Sequence, residues 1–523
     1  MKTPFIYFFV VIFFLPLFSF SQKFFAKQFQ LRNSPYPLYS QPPSNGVFQI
    51  RHRDFNGEYI LWFGTSKGIA SSTDGARTFT RYRSNGAFVK DGIFSLAILG
   101  DTIWSSMGYS KEFQDGEVQT GAGYAFSIDN GATWKHKPQT LDGRYEDTIR
   151  YGNNVLEILP VVVPEQNVTY DVSISPNGTV WISSWASGLR RMKNYDLTKW
   201  ERILLPPDFL NKLSPDSSYN FYYDPRPYNN IKAFSVFAVN DSVVWCGTAG
   251  GINKTMNAND SFPSWTKYSH QNQAAPILGN WVIAIDRQCY FTSTDTVERI
   301  WCTNWRAEDF DEEYGVSYTE DDGTTWKNLL HGIKAYDFAF QDSVAYIATD
   351  DGLFRTSNGG TTFARTSDIR DNVGNIIASR AFFSVDVVSD TLYCGTGDGL
   401  VKSIDNEFHL FGQTWEILRT FEKLGTKNST YSYPNPFSPQ MEITRIHFST
   451  VNNNGEVTIE IFDYGMNRVR TLIRNAIRTP GNEFDEIWNG EDDNKRIVAN
   501  GVYFYRVLIG GSEPIWGKVL VIQ

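Results

Sequence analysis

Along most of the chain, short runs of apolar and small residues alternate with clusters of Gly, Asn, Asp and Ser, the pattern of strands joined by tight turns. One phrase recurs: an apolar strand, a short turn, an aromatic followed by small residues, a Gly-containing strand, and a last strand that begins near Trp or Phe. Its second strand is centred on Ile60-Leu61-Trp62-Phe63-Gly64-Thr65, Thr102-Ile103-Trp104-Ser105-Ser106, Val180-Trp181-Ile182-Ser183-Ser184, Val244-Trp245-Cys246-Gly247-Thr248, Ile300-Trp301-Cys302-Thr303, Ala345-Tyr346-Ile347-Ala348-Thr349 and Leu392-Tyr393-Cys394-Gly395-Thr396. First strands precede it at 234–239, 336–340 and 383–388, closed by the turns Asn240-Asp241-Ser242, Gln341-Asp342-Ser343 and Ser389-Asp390-Thr391. Four-stranded units repeating every ~40–50 residues match propeller blades, whose radial packing leaves only short, protected edges. The copies predict an all-β chain built on a seven-bladed β-propeller. Phe29-Gln30-Leu31 offers one further strand to the ring.

Between the third and fourth strands lies a sharper motif, S/T-x-D-x-G-x-T-W/F. Ser127-Ile128-Asp129-Asn130-Gly131-Ala132-Thr133-Trp134 and Thr319-Glu320-Asp321-Asp322-Gly323-Thr324-Thr325-Trp326 fit it fully. The stretch around Asn358 is a close variant, the copy at Asp74 carries Ala76 in place of Gly, and Asp405 with Trp415 looks like a copy opened by an insertion. A short carboxylate accepts bonds from backbone N–H groups of its own turn, and Gly permits a positive φ there. Asp74, Asp129, Asp321, Asn358, Gly131, Gly323, Trp134 and Trp326 are therefore read as fold-stabilising. These residues resemble the Asp-box, or BNR, repeat of the sialidase-like propeller superfamily. That superfamily includes sialidases, other glycosidases, sorting receptors and photosystem assembly factors, so the resemblance implies a fold and leaves the activity open.

In a four-stranded blade the second-to-third strand loops and the interblade loops open on one face. The long insertions fall in these two classes, at 108–123, 137–169 and 205–231, with shorter ones at 269–280, 304–315 and 367–380. Long loops in a compact domain are usually functional. Trp185 and Trp305 follow second strands directly, Arg306 comes next, and Tyr219, Phe221, Tyr222, Tyr223, Arg226 and Tyr228 crowd one interblade loop. Such aromatics stack on sugar rings or bury against a protein partner. They also serve packing, and that alternative stays open here. Glu308, Asp309, Asp311, Glu312 and Glu313 offer oxygen ligands that calcium favours, without a complete calcium loop, so a solvated acidic loop is expected and no cofactor is implied.

A sialidase needs an arginine cluster, a Tyr/Glu nucleophile pair and an acid/base Asp. The early Phe48-Gln49-Ile50-Arg51 does not supply the Phe/Tyr-Arg-Ile-Pro motif usual in that family, although Arg144, Arg226, Arg306 and Arg380 are free by sequence to converge. Glycoside hydrolysis by paired carboxylates stays open as the alternative function. No H-E-x-x-H, Walker loop, G-x-S-x-G elbow or spaced Cys/His metal site appears, and the six histidines are dispersed.

The net charge of −9 over 523 residues, without a Lys/Arg-rich run, argues against nucleic acid as partner. Lys2, an apolar run at 5–18 and Ser19-Phe20-Ser21 read as a secretory signal peptide, and no later segment has the length and apolarity of a membrane span. Three of the four cysteines sit in the repeated second strand and read as small core residues; Cys289 and Cys302 are placed to face each other across one hairpin as a possible disulfide.

After residue 425 the repeat stops. Strands are expected at 443–449, 456–462, 468–473, 502–508 and 517–522, enough for a small β-sandwich. Tyr433-Pro434-Asn435-Pro436-Phe437, the run 457–463, Trp488-Asn489-Gly490-Glu491-Asp492-Asp493 and Asn500-Gly501-Val502-Tyr503-Phe504-Tyr505-Arg506 closely resemble FlgD Ig-like C-terminal domains and the type A sorting domains of type IX secretion. The resemblance implies type IX secretion machinery as a partner and a secreted or cell-surface product. The domains expected are a signal peptide at 1–21, an N-terminal extension at 22–40, the propeller at 41–425, a linker at 426–432 and the Ig-like sandwich at 433–523. The function expected is binding of an extracellular glycan or protein.

Overall fold

The computed structural model describes residues 37–522 except 56–57, 83–85, 114–115, 194–198, 367, 373–374, 378, 421–429, 441–442 and 451–454. The signal peptide, most of the N-terminal extension with Phe29-Gln30-Leu31, and part of the linker lie outside them. Among the described residues there is no α-helix. None of their helices is long and apolar enough to cross a membrane.

The chain runs as successive antiparallel meanders, each starting from an inner strand: Val47–Phe55, Gly92–Leu99, Thr169–Ile174, Ala233–Ala238, Ile285–Phe291, Ala335–Gln341 and Phe382–Val388. Three further strands follow outward in each, as in Thr296–Asn304, Gly315–Thr319 and Lys327–Leu329. Successive sheets pack side by side, and Val47–Phe55 meets Phe382–Val388, so the sheets close into a β-propeller. Leu38–Tyr39, from the expected extension, adds an outer strand to the first sheet.

The second strands are buried on both faces, which explains why they read as unbroken apolar and small residues. Their recurring aromatics, Trp62, Trp104, Trp181, Trp245, Trp301, Tyr346 and Tyr393, are at most 2% exposed. Close packing also explains the glycines: a Cβ on Gly395 would lie 2.2 Å from the Val47 carbonyl oxygen of the first sheet. Cys246, Cys302 and Cys394 are buried thiols. Cys302 pairs in register with Ile285 and Cys289 with Glu298, so the possible bridge across that hairpin is not formed.

The S/T-x-D turns repeat one hydrogen-bond pattern. Asp129 accepts from Ser127 Oγ (2.8 Å), Thr133 N (2.8 Å) and Thr133 Oγ1 (2.6 Å). Asp74 does the same with Ser72 and Thr78, Asp321 with Thr319 and Thr325, and Asn358 accepts from Thr356 Oγ1 and Thr362 N. Partial burial pushes the three carboxyls upward, but the bonds outweigh it and hold them below the usual carboxylate range. Gly131 has φ +80°, and its Cβ would stand 2.5 Å from Trp62 Cη2; Gly323 has φ +90°. Ala76 keeps the left-handed conformation, φ +63°, without the glycine. Trp134 then packs edge-on against Trp62 and Trp326 against Trp245, locking each turn to the preceding sheet. Asp405 departs from the pattern: it takes Tyr346 Oη and Arg355 Nε, each at 2.5 Å.

The last strands form a three-stranded sheet, Thr430–Tyr433, Thr444–Ser449 and Glu483–Trp488, and a four-stranded sheet, Arg468–Ile477, Glu456–Phe462, Gly501–Ile509 and Ile515–Val521. Both face one core that includes Phe448, Trp488, Ile459, Tyr505 and Val519. Glu483–Trp488 escapes the sequence pattern because five of its six residues are acidic or aromatic without a clean alternation. This unit is tied to the propeller by ions. Asp398, in the turn after Thr391–Thr396, accepts Arg419 Nη2 (3.0 Å) and Arg445 Nε (2.9 Å), and both arginines also donate to Ile376 O. Arg445 is 3% exposed.

Candidate functional site

Each inner strand begins where an interblade loop ends, and most of them begin with the same irregularity. The register slips between Val47 and Gln49, Ile93 and Ser95, Thr169 and Asp171, Ala233 and Ser235, Ala335 and Asp337, and Phe382 and Ser384. A bulge leaves one residue unpaired and re-aims its side chain. That residue is aromatic every time: Phe48, Phe94, Tyr170, Phe234, Tyr336 and Phe383.

The fifth sheet has no such slip and supplies Trp281 and Trp305 through an isolated bridge. Ring centroids then run in sequence around the channel mouth: Phe94 to Tyr170 6.3 Å, Tyr170 to Phe234 5.0 Å, Phe234 to Trp281 5.1 Å, Trp281 to Trp305 5.6 Å. From there Trp305 to Tyr336 is 5.7 Å, Tyr336 to Phe383 5.3 Å and Phe383 to Phe48 5.4 Å. Most of these contacts are edge-on or tilted, the geometry aromatic rings prefer. All but Phe234 remain half-exposed, so the collar presents ring surface to the channel mouth.

Beneath it the inner strands carry a charged belt around a cavity of about 320 Å³. The free edge of an inner strand leaves backbone N–H groups needing acceptors. Asp171 Oδ2 accepts from Val236 N (3.0 Å) and Asp337 Oδ2 from Val385 N (3.1 Å), each on the next inner strand. Arg51 reaches the sixth sheet to grip both Asp337 oxygens at 3.0 and 3.2 Å, and His52 Nδ1 lies 2.9 Å from Asp386. Burial raises Asp171 and Asp286 to about 7 each, with Arg51 pulling the other way. Burial favours neutral His52, yet the bond and charge of Asp386 hold its pKa above the ordinary histidine value.

The sequence-derived residues part company. Trp305 joins the collar and donates its indole N–H to Ala335 O at 3.1 Å. Arg306, beside it, is exposed and reaches Phe310 O. Trp185 is half-buried under Lys232, whose Nζ is 5.5 Å from the ring centroid. The Tyr219–Tyr228 cluster mostly packs the insertions themselves. The hairpin Thr148–Tyr151 and Asn154–Glu157 buries its apolar face against Leu204, Leu213 and Tyr223. Tyr223 is 1% exposed, its hydroxyl accepting from Leu205 N, so it is removed from any ligand-facing role. Tyr219 accepts from Ser214 N and stacks near Tyr151, and Tyr228 stands edge-on to Phe209. Tyr222 is 42% exposed, and exposed Arg226 clamps its neighbour Asp224.

Two of the four arginines are held by nearby carboxylates: Arg226 by Asp224 and Arg380 by Asp351. The acidic loop is not uniformly solvated either. Glu312 is 2% exposed and accepts from Ala307 N and from Asn280 N and Nδ2. Among the described residues no group of three or more His, Cys, Asp or Glu is arranged to hold a metal ion. The collar itself went unread, although aromatic, polar, apolar triplets such as Phe48-Gln49-Ile50, Tyr170-Asp171-Val172 and Phe383-Ser384-Val385 mark it at constant phase.

No protein-family model matches the chain, and no curated protein does. Among solved structures the chain is similar to PorZ, an essential bacterial surface component of the type-IX secretion system of Porphyromonas gingivalis, at 12% identity and a TM-score of 0.31, covering 91% of this chain and 66% of that one. It is similar to YCF48 from Cyanidioschyzon merolae at 14% identity and 0.40, covering 70% and 98%. It is similar to an ancestral GH74 enzyme at 12% identity and 0.49, covering 92% and 63%. The chain thus spans just under two thirds of the PorZ and GH74 chains. Likenesses this distant assign no activity.

Proposed function

We propose that the chain is an exported binding protein, a seven-bladed Asp-box propeller that takes an extracellular glycan or protein at its aromatic-ringed channel mouth. The collar carries this reading. Half-exposed ring faces at one rim are a surface for sugar rings or for the apolar side chains of a partner. The long insertions rise on the same end, which supports it further. The partition is a signal peptide at 1–21, an extension at 22–40, the propeller at 41–425, a linker at 426–432 and an Ig-like type IX sorting domain from 433, whose first strand, Thr430–Tyr433, begins slightly earlier.

The test is binding of the purified chain to an extracellular glycan array and to surface-protein extracts. Trp305→Ala and Phe383→Ala are expected to abolish a signal that Tyr222→Ala leaves intact, and binding unchanged in both collar variants sinks the site. Deleting residues 430–523 is expected to trap the propeller in the periplasm, and normal surface delivery of the truncation overturns the export reading. A general acid needs a carboxyl whose pKa is raised toward neutrality, and burial raises Asp171 and Asp286 to about 7. Turnover of aryl glycosides, lost in Asp286→Asn, would replace binding with a glycosidase.

A further inference from the structure

At the outer side of the third sheet, Arg190 on Gly188–Met192 lies directly across from Arg202 on Glu201–Ile203. Like charges placed so destabilise a sheet unless something neutralises them. Asp142, reaching in from the insertion after the second sheet, does half of that. Its oxygens lie 2.5 Å from Arg190 Nη2 and 3.2 Å from Arg202 Nη2, and it also accepts from Val161 N. All three side chains are at most 6% exposed. One carboxylate against two buried guanidiniums leaves a net positive charge out of water, a costly arrangement without a counter-ion.

The donors are incompletely used as well. Arg202 Nη1 reaches Leu159 O, but Nε of both arginines has no acceptor among the described residues. Both line a cavity of about 490 Å³ whose walls include Tyr151, Trp200 and Phe262. The other charges there do not cancel the surplus. Glu201 is held by Arg191 Nε, and Glu146 adds a second carboxylate that accepts from Gly143 N, but Arg150 and Lys199 add two positive charges, so the lining stays net positive. If Asp142 served only to fasten the insertion, one arginine would suffice.

We infer that this cavity is a second ligand site, apart from the channel mouth, and that it binds a carboxylate-bearing sugar. The guanidinium pair meets the carboxylate, as Arg does best with planar oxyanions, and the aromatic walls cover the ring. The site does not depend on the collar, so each can fail alone.

The experiment is calorimetric titration of the full chain with glucuronate, galacturonate, glucose and inorganic sulfate. Saturable binding of a uronate and none of glucose is expected. Arg202→Met should weaken uronate binding by at least about tenfold, the usual cost of losing a charged hydrogen-bond donor. Asp142→Asn removes the competing carboxylate and should tighten binding; like Arg202→Met it is expected to lower stability, and the parent chain's preference for a uronate over glucose keeps the test decisive if either variant misfolds. Phe383→Ala should bind as the parent does. Sulfate binding without uronate binding, no saturable binding, or a uronate affinity that Asp142→Asn leaves unchanged or weakens overturns the assignment.

Discussion

The two ends of the propeller are stabilised over different distances along the chain. At the turn end, every acceptor bond made by Asp74, Asp129 and Asp321 stays within four residues, so each turn is a self-contained fastener. Toward the loop end, Arg51 meets Asp337 across 286 positions, His52 meets Asp386 across 334, and Asp398 holds Arg445 of another unit. Short-range chemistry is copied with the repeat. Long-range chemistry has to be built once, by the whole ring, and that is where a distinctive surface can arise.

The largest effect that would sharpen this contrast is at Asp398. Asp398→Ala leaves Arg419 and Arg445 buried without their carboxylate and is expected to cost about 3–5 kcal/mol in denaturant unfolding, with faster proteolysis between the two units. A loss below about 1 kcal/mol would mean that the arginines regain water and the contact is incidental.

Next comes Gly131→Ala, which adds a methyl at φ +80° against Trp62 and should lower stability by about 2–3 kcal/mol. The reverse change at the matching position, Ala76→Gly, should stay within about 1 kcal/mol, because it relieves a left-handed alanine while emptying a packed site. Equal effects from the two would erase the idea that the turns are one device with one tolerant copy.

Asp129→Ala should cost about 1–2 kcal/mol and Asp129→Asn less, since Asn358 in its own turn already accepts from Thr356 Oγ1 and Thr362 N and donates to Thr362 Oγ1. The lowered pKa values of these carboxyls fix the sign: their contribution is fully present above the ordinary carboxylate pKa near 4 and is lost as pH falls through the lower folded values. At Asp286 the sign reverses. A carboxyl raised to about 7 is a burden above that pH and none below about 4, so Asp286→Asn should raise the melting temperature at pH 8 and leave it unchanged at pH 4.

The same division explains what was legible in the sequence. Trp62 and its counterparts, and Asp129 with Thr133, lie inside one repeat and show themselves by recurrence. Phe48, Tyr170 and Trp281 were missed because each reads alone as core, and the partner that makes it part of a collar lies in the neighbouring repeat. Tyr219, Tyr223 and Tyr228 misled for the opposite reason. An aromatic cluster in a long loop resembles a binding surface, but this insertion carries its own hairpin and needed those rings to cover it. The charge surplus around Arg190 and Arg202 was likewise invisible, since it depends on Asp142 arriving from 48 residues away.

Among the described residues, the first sheet is made entirely of early residues and the last entirely of late ones, with no strand exchanged between them. Their seam is sealed by Val47, Ile50 and Phe63 packed with Val388, Tyr393 and Leu400, and by Thr420 N bonding Asn45. Closure therefore waits for nearly the whole ring to be made, a loop of more than 300 residues whose entropy must be overcome late. The carboxylate that grips the C-terminal unit belongs to that last sheet. The tail can dock only on a ring whose final sheet is in place, so the order of folding writes a completeness check into the order of the chain.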